Sequence, residues 1–340
     1  MRPFDFERAA DAASASRFIA AAPGGGGTPV RAPAQFLAGG TTMLDLMKLD
    51  VMRPERLVDI NALAAPIGAV QADGNGLRLG ALARMSAVAD HPAVKRDWPV
   101  VAQSLALAAS AQLRNMASIG GNVLQRTRCA YFRDVSWTAC NKREPGSGCA
   151  ALEGHNRLHA VLGTGEKCIA SYPGDFAQAL IALDATVELA GPDGGRSIPF
   201  AELHRLPGDT PEVETVLRPE ELITAFTMPA LPWARRSLYL KVRDRESYAF
   251  AAASAAVALD MDGGAVREAR IALGGVATVP WRAREAEEAL AGQELTEASA
   301  QRAAEAAFRG ARTHGHNDFK PDLGRRTLVR ALLDAGRMEA

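Results

Sequence analysis

An excess of charge is the first thing this sequence lacks. Lys plus Arg and Asp plus Glu number 39 each, so the formal net charge is zero. That argues against a nucleic-acid surface, which needs a basic excess to displace counterions from phosphates. No apolar run reaches the roughly 18 residues of a membrane span, although 48% of the residues are hydrophobic and many of those are Ala. The opening stretch, MRPFDFERAADAASASRFIA, lacks the basic end and long apolar centre of a signal peptide, so no export signal is expected in it. Neither G-x-G-x-x-G nor the Walker pattern occurs, which removes both standard nucleotide fingerprints. No internal repeat is present. Cysteine is nearly absent: four in 340 residues, too few for a disulfide scaffold, and all four fall between 129 and 168.

What remains is a long chain with mixed periodicity. Its length exceeds the size at which single cores usually split, so two or three domains are expected. FDFERAADAASASRFIAAA reads as a strand followed by an Ala-rich helix, broken by the glycine run at 24–27. QFLAGG is a short strand running into glycines, and TTMLDLMKLD opens a helix. RLVDI and GLRLGAL read as strands, and VVAQSLALAASAQLRNM as one long helix. From 128 to about 170 the periodicity vanishes. DFAQALIAL then reads as a helix, ATVELAG as a strand and PDGG as a turn, and the Pro-rich stretch at 229–232 reads as a linker. Beyond it come a strand in RRSLYLKVR, two strands joined at Asp262-Gly263-Gly264, and three helical patterns around 281–292, 296–311 and 322–336. Such alternation points to α/β units, with the tail from about 229 as a separate α/β domain.

Two turns share a logic. One is Leu37-Ala38-Gly39-Gly40-Thr41-Thr42, running into Met43; the other is Ala117-Ser118-Ile119-Gly120-Gly121-Asn122. Paired glycines let backbone approach a bulky anion, and several N–H groups can then converge on phosphate oxygens. Thr41 or Thr42 is positioned to cap the helix starting near Met43, and Ser118 and Asn122 to donate to a diphosphate. Singly, each turn is an ordinary loop pattern. Together they make a shared diphosphate cofactor the better reading.

The thiols are Cys129, Cys140, Cys149 and Cys168, separated by ten, eight and eighteen residues. Four thiolates suit a four-iron, four-sulfur cluster or a structural zinc. Close C-x2-4-C knuckles are missing, and the wide gaps suit a cluster better. His155 and His159 are alternative zinc ligands, so counting alone leaves the metal open. The bland alternative is buried or disulfide-paired cysteine, but small buried thiols are expected to be scattered through a core rather than gathered in a polar loop. Arg126, Arg128, Arg133, Lys142 and Arg143 surround the thiols and either offset a cluster's negative charge or belong to a solvated loop.

On "AGGTTMLDLMK" and "RNMASIGGNVLQRTRC" the chain resembles the FAD subunit of molybdenum hydroxylases, the xanthine dehydrogenase and carbon monoxide dehydrogenase medium-subunit family. "GGNVLQRTRCAYFRD…CNKREPGSGC" resembles the aldehyde oxidoreductase variant whose FAD domain carries an extra [4Fe-4S] cluster; the 4-hydroxybenzoyl-CoA reductase medium subunit is a poorer match. The resemblance covers nearly the whole chain. It implies an α+β fold with α/β-type subdomains: a two-subdomain FAD-binding domain of the vanillyl-alcohol-oxidase/PCMH type over 1–228, and a C-terminal CO-dehydrogenase-flavoprotein-like domain over 229–340. The subdomains are expected at about 1–60 and 61–228, with the iron–sulfur insert at about 126–170.

The resemblance also implies site residues. The first FAD loop matches Leu37 to Met43 and the second matches Ala117 to Asn122. Asp175 matches an Asp near the adenosine, although Gly rather than the commoner Ser precedes it. Leu222 and Ile223, in "PEELI", match the adenine pocket. Lys241 matches a Lys on the first strand of the C-terminal domain, and Tyr248 falls where relatives place a side chain near the isoalloxazine. The four cysteines match the cluster ligands one for one. No residue of this chain is expected to act on substrate. The expected partners are a large molybdopterin subunit that oxidises aldehydes to carboxylic acids, a small subunit with two [2Fe-2S] clusters, and an external electron acceptor (quinone, ferredoxin, oxygen or a dye-like carrier, with NAD less favoured). Co-export to the periplasm on a signal-bearing partner is the favoured location, with the cytoplasm as the alternative. Competing readings are a xanthine dehydrogenase-like or 4-hydroxybenzoyl-CoA reductase-like medium subunit, a stand-alone FAD oxidoreductase of the vanillyl-alcohol-oxidase type, and a zinc-stabilised assembly module.

Overall fold

Parallel strands need a crossover between them, and the N-terminal segment supplies two. Strands β1 (Asp5–Arg8), β2 (Ala34–Leu37) and β3 (Arg56–Asp59) form a parallel sheet in the order β1-β3-β2. Helix Ala12–Ala20 leads from the first to the second, and helix Met43–Lys48 from the second to the third. The first helix starts at a capping box. Asp11 accepts from Ser14 N at 2.6 Å and Ser14 Oγ accepts from Asp11 N at 3.0 Å, so two otherwise orphan donors are satisfied. Its Ala15 and Ile19 pack on Val58, Ile60 and Leu63. The computed structural model describes residues 1–22 and 31–339; the glycine run at 24–27 lies outside the described residues.

Five antiparallel strands make the middle sheet: β4 (Val70–Asp73), β5 (Gly76–Gly80), β6 (Thr186–Gly191), β7 (Gly194–Pro199) and β8 (Leu222–Pro229), in the order β4-β5-β8-β6-β7. Leu77, Leu79, Val187 and Phe226 of this sheet pack with Phe176 and Leu180 of helix Phe176–Ala182. The helical run expected over 100–116 is two helices, Pro99–Ala106 and Ala111–Met116. Ala109 takes φ +49°, outside the right-handed helical region, and Ser110 restarts the helix by accepting from Leu113 N at 3.3 Å.

The third sheet is antiparallel, β12 (Trp281–Arg282), β11 (Ala265–Gly274), β10 (Ala253–Asp262) and β9 (Ser237–Val242) in that order. The β10–β11 hairpin turns at Gly263, whose φ of +59° favours glycine. One face packs Val257, Leu259, Ile271 and Leu273 against Ala303 and Leu328 of helices Glu297–Ala307 and Lys320–Gly336. The other face offers Ala256, Ala258 and Ala272 to the core beneath the middle sheet. Trp281 and Arg282 form a short edge strand where the helical pattern was read; the helix begins at Arg284. The whole is an α+β fold. No helix among the described residues is long and apolar enough to cross a membrane.

Candidate functional site

The end of β2, the start of helix Ile119–Val123 and the start of β8 converge on one cleft, enclosing about 1190 Å3 with its open mouth included. Ala38, Gly39, Gly40, Thr41, Thr42 and Met43 form one wall, Ser118, Gly120 and Gly121 a second, and Leu222 and Ile223 a third. Leu37, Ala117, Ile119 and Asn122 belong to the same turns but do not line the cleft. The two turns touch: a Cβ built on Gly39 would overlap the Met116 carbonyl oxygen. Arg84 ties them further, donating to Met116 O and, at 3.1 Å, to Asn61 Oδ1, while Asn61 Nδ2 donates to Ala38 O at 3.0 Å. Neither Arg84 nor Asn61 carries a local sequence signal for this part; each acts on turns more than 20 residues away.

The two turns differ in what they offer an anion. Among the described residues, none of the backbone N–H groups of Gly39, Gly40, Thr41, Thr42 and Met43 donates to a protein acceptor. Gly40, at φ +73°, bends the backbone so that this run of donors borders the cleft. In the second turn the donors from Ile119 to Gly121 are already used. Ile119 N donates to Ala83 O at 3.0 Å, Gly120 N to Ala81 O at 2.8 Å and Gly121 N to Ser118 Oγ at 3.2 Å. The second turn therefore offers the cleft the Ser118 residue rather than a run of free amides like that of the first turn. The expected threonine cap does not form. Thr42 stands at the N-cap with helical φ and ψ and makes no side-chain cap bond. An extended backbone is what normally aims an N-cap oxygen at the helix amides.

Asp175 and Lys241 are brought together, but away from the cleft. Lys241 Nζ lies 2.8 Å from Asp175 Oδ2, and Tyr239 Oη donates to Asp175 Oδ1 at 2.5 Å. Burial pushes the Asp175 carboxyl upward against the pull of Lys241. Lys241 also donates to Leu107 O at 3.1 Å, so the pair joins β9 to the helices under the middle sheet. Tyr248 lies outside the cleft lining, 56% exposed at φ +50°, with its ring under the Arg245 guanidinium at 5.5 Å.

The four thiols line one small cavity. Cys129 precedes the short helix Ala130–Arg133. Cys140 and Cys149 face each other in an antiparallel bridge held by Asn141 N to Gly148 O at 2.7 Å and Ala150 N to Ala139 O at 2.9 Å. Cys168 pairs with Gly165 in another bridge. The Asn141 side chain crosses the loop, donating to Lys167 O at 3.0 Å and accepting from Gly148 N at 2.8 Å. All four are free thiols. Among the described residues, no three or more His, Cys, Asp or Glu side chains draw together around a single ion. Burial raises the Cys129 thiol to about 12 and the Cys168 thiol to about 11, so ionised sulfur there calls for a compensating cation. His159 Nε2 sits 3.1 Å from Cys129 Sγ, and burial lowers this imidazole to about 4, which keeps it neutral. His155 instead packs against His316.

The basic residues of this segment are staples, not a solvated fringe. Arg128 and Arg133 reach Asp45 at 3.2 and 2.8 Å, on the helix that follows the first glycine turn. Arg126 and Lys142 reach Glu214 at 3.0 and 2.9 Å. Arg143 holds the carbonyls of Tyr131 and Phe132, each at 2.8 Å, and that of Trp137. Asp45 and Glu214, like Arg84 and Asn61, are site residues that sequence reasoning missed. On the PEELI turn, Glu221 does similar service, accepting from Arg196 Nε at 2.7 Å and Arg218 N at 2.8 Å.

Comparison with known proteins gives a consistent result. Residues 2–231 match the family model of the FAD binding domain in molybdopterin dehydrogenase, and 238–335 match that of the CO dehydrogenase flavoprotein C-terminal domain. The chain is 45% identical to the aldehyde oxidoreductase FAD-binding subunit PaoB of Escherichia coli over 336 residues, 98% of this chain and 99% of that one. It is 27% identical over 292 residues to the carbon monoxide dehydrogenase medium chain of Afipia carboxidovorans, covering 86% of this chain and 81% of that one. Among solved structures, a carbon monoxide dehydrogenase from Hydrogenophaga pseudoflava superposes with a TM-score of 0.74 at 26% identity, over 98% of this chain and 97% of that one.

Proposed function

The chain belongs to the family of FAD-binding subunits of molybdopterin dehydrogenases, and from that premise we propose that it is the FAD- and [4Fe-4S]-carrying electron-transfer subunit of an aldehyde oxidoreductase. The observation that carries the reading is the run of amides from Gly39 to Met43, without partners among the described residues, on an apolar cleft beside a cavity walled by four free thiols. Those amides would hold the FAD diphosphate without paying any cost of breaking internal bonds. Ser118 would donate its hydroxyl, since its oxygen already accepts from Gly121 N. Leu222 and Ile223 would cover the adenine. Cys129, Cys140, Cys149 and Cys168 would ligate the cluster, with His159 bonded to the Cys129 sulfur. When bound, FAD and an iron–sulfur cluster accept electrons singly, and FAD passes them on singly or in pairs.

No residue of this chain is assigned to substrate chemistry. Aldehyde oxidation would take place in a large molybdopterin subunit, with a small [2Fe-2S] subunit delivering electrons to this chain and an external acceptor removing them. The similarity to PaoB supports the aldehyde. The test is anaerobic co-expression with a large molybdopterin subunit and a small [2Fe-2S] subunit of the same family. Co-purification with one FAD and a broad iron–sulfur absorbance, reduced on adding an aromatic aldehyde, is expected. Flavin bands without iron would refute the cluster, and no flavin at all would refute the whole reading.

A further inference from the structure

The flavin-family cleft and the thiol cavity share a wall. Arg126 and Glu214 line the cleft, and Lys142 lines the thiol cavity two residues after Cys140. Glu214 accepts from both cations: from Arg126 at 3.0 and 3.2 Å, and from Lys142 at 2.9 Å. Burial opposes its ionisation, yet Arg126 and Lys142 together hold the Glu214 carboxyl down at about 2. The Arg126 guanidinium stacks 4.5 Å from the centre of the Phe132 ring, and Phe132 packs beside Cys140 and Leu46. Two cations share one carboxylate here, so the wall carries an excess positive charge with low access to water. Lys142 lines the thiol cavity, so anionic sulfur there would offset that excess. The second staple, Asp45 with Arg128 and Arg133, fastens the same segment to the first glycine turn.

We propose that the Arg126–Glu214–Lys142 triad couples occupancy of the thiol cavity to FAD retention in the cleft. The inference rests on the cofactor reading above. A cluster on the four thiols would reinforce the Cys140–Cys149 bridge that backbone bonds already form; the bridge positions Lys142, and Lys142, anchored also on Pro211 O at 2.8 Å, holds Glu214 against the cleft. An emptied thiol cavity frees Lys142 and leaves a buried carboxylate with one partner, which loosens the cleft wall. Binding linkage is reciprocal, so an emptied cleft must loosen the cluster by the same factor.

The test uses the full chain purified anaerobically, measuring iron content and the FAD dissociation constant by flavin fluorescence. Lys142→Met is expected to keep its iron and weaken FAD by roughly tenfold, within the usual range of coupling between sites. Cys168→Ser is expected to lose iron and weaken FAD to a similar degree. The double variant is expected to be no weaker than Cys168→Ser alone, and Lys142→Arg to recover most of the affinity. Stripping FAD from the wild type is expected to speed iron loss to a chelator. Additive losses in the double variant, or wild-type FAD affinity in an iron-loaded Lys142→Met protein, would overturn the coupling while leaving the cluster standing. A wild type without iron would overturn both. Should Lys142→Met fail to fold, Glu214→Gln approaches from the cleft side; unchanged chelation kinetics there would also overturn it.

Discussion

Lys241 Nζ and Asp175 Oδ2 lie 2.8 Å apart with side chains 1% and 5% exposed, and they clasp strand β9 to the loop before helix Phe176–Ala182. The family resemblance matched Asp175 to a residue near the adenosine and Lys241 to a cofactor-binding Lys; here they bond each other, and neither lines the cleft. Removing one partner of such a pair strands a buried charge, at a cost of about 3–5 kcal/mol. Lys241→Met is therefore expected to lower thermal stability sharply, and Lys241→Met with Asp175→Leu to recover much of the loss. Calorimetric melting of the three proteins checks this, and equal losses in single and double variants would count against it.

Gly39 and Gly121 are expected to fail in different ways. A side chain at Gly39 meets the Met116 carbonyl, which is backbone and cannot swing aside. Gly39→Ala should destabilise the FAD-free protein by about 3 kcal/mol, the upper end for overpacking, and release FAD. A Cβ at Gly121 meets only Ser118 Oγ, at 3.0 Å, and otherwise projects into the cleft. Gly121→Val should strip FAD and leave the melting of the FAD-free protein little changed. Flavin content and apo-protein melting separate the two.

Cys129→Ser is expected to lose the broad iron–sulfur absorbance and loosen the thiol loop; full iron and sulfide content would show that Cys129 is no ligand. His159→Phe is expected to keep the iron but lower the cluster's reduction potential. Loss of an N–H bond to a ligating sulfur leaves its negative charge less stabilised. An electrochemical titration read by electron paramagnetic resonance gives the answer, with His159→Gln expected to fall between the two.

Acid should act on the wall between the sites. Glu214 is held at about 2 by Arg126 and Lys142, below its ordinary 4.5. A depressed carboxyl contributes stability that is complete above the unfolded value and is lost as pH falls through the folded one. The window is thus about pH 4.5 down to 2, and the contribution is about 3 kcal/mol. Denaturant unfolding across that window should show the loss, and Glu214→Gln should flatten it.

Much of the local architecture was legible in residue order. The β10–β11 hairpin follows from Asp262-Gly263-Gly264, the first helix from its Ala-rich run, and the irregular thiol segment from lost periodicity. Turn chemistry and helix propensity act between near neighbours in the chain. The missed features are of another kind. Strand β8 went unread beyond its PEELI start, and the helix break at Ala109 rests on one backbone angle.

The sequence by itself determined which chemistry is present: paired-glycine turns able to approach an anion, and four thiols in one loop. Only the tertiary structure decided how these parts are used. It left the amides of Gly39 to Met43 without partners among the described residues and used those of Ile119 to Gly121 on Ala83, Ala81 and Ser118. It set Glu214 against Arg126 and Lys142, 88 and 72 residues away in the chain (214 − 126 and 214 − 142). Hydrogen-bond partners at such separations are chosen by how sheets and helices pack, and no short-range pattern encodes that choice.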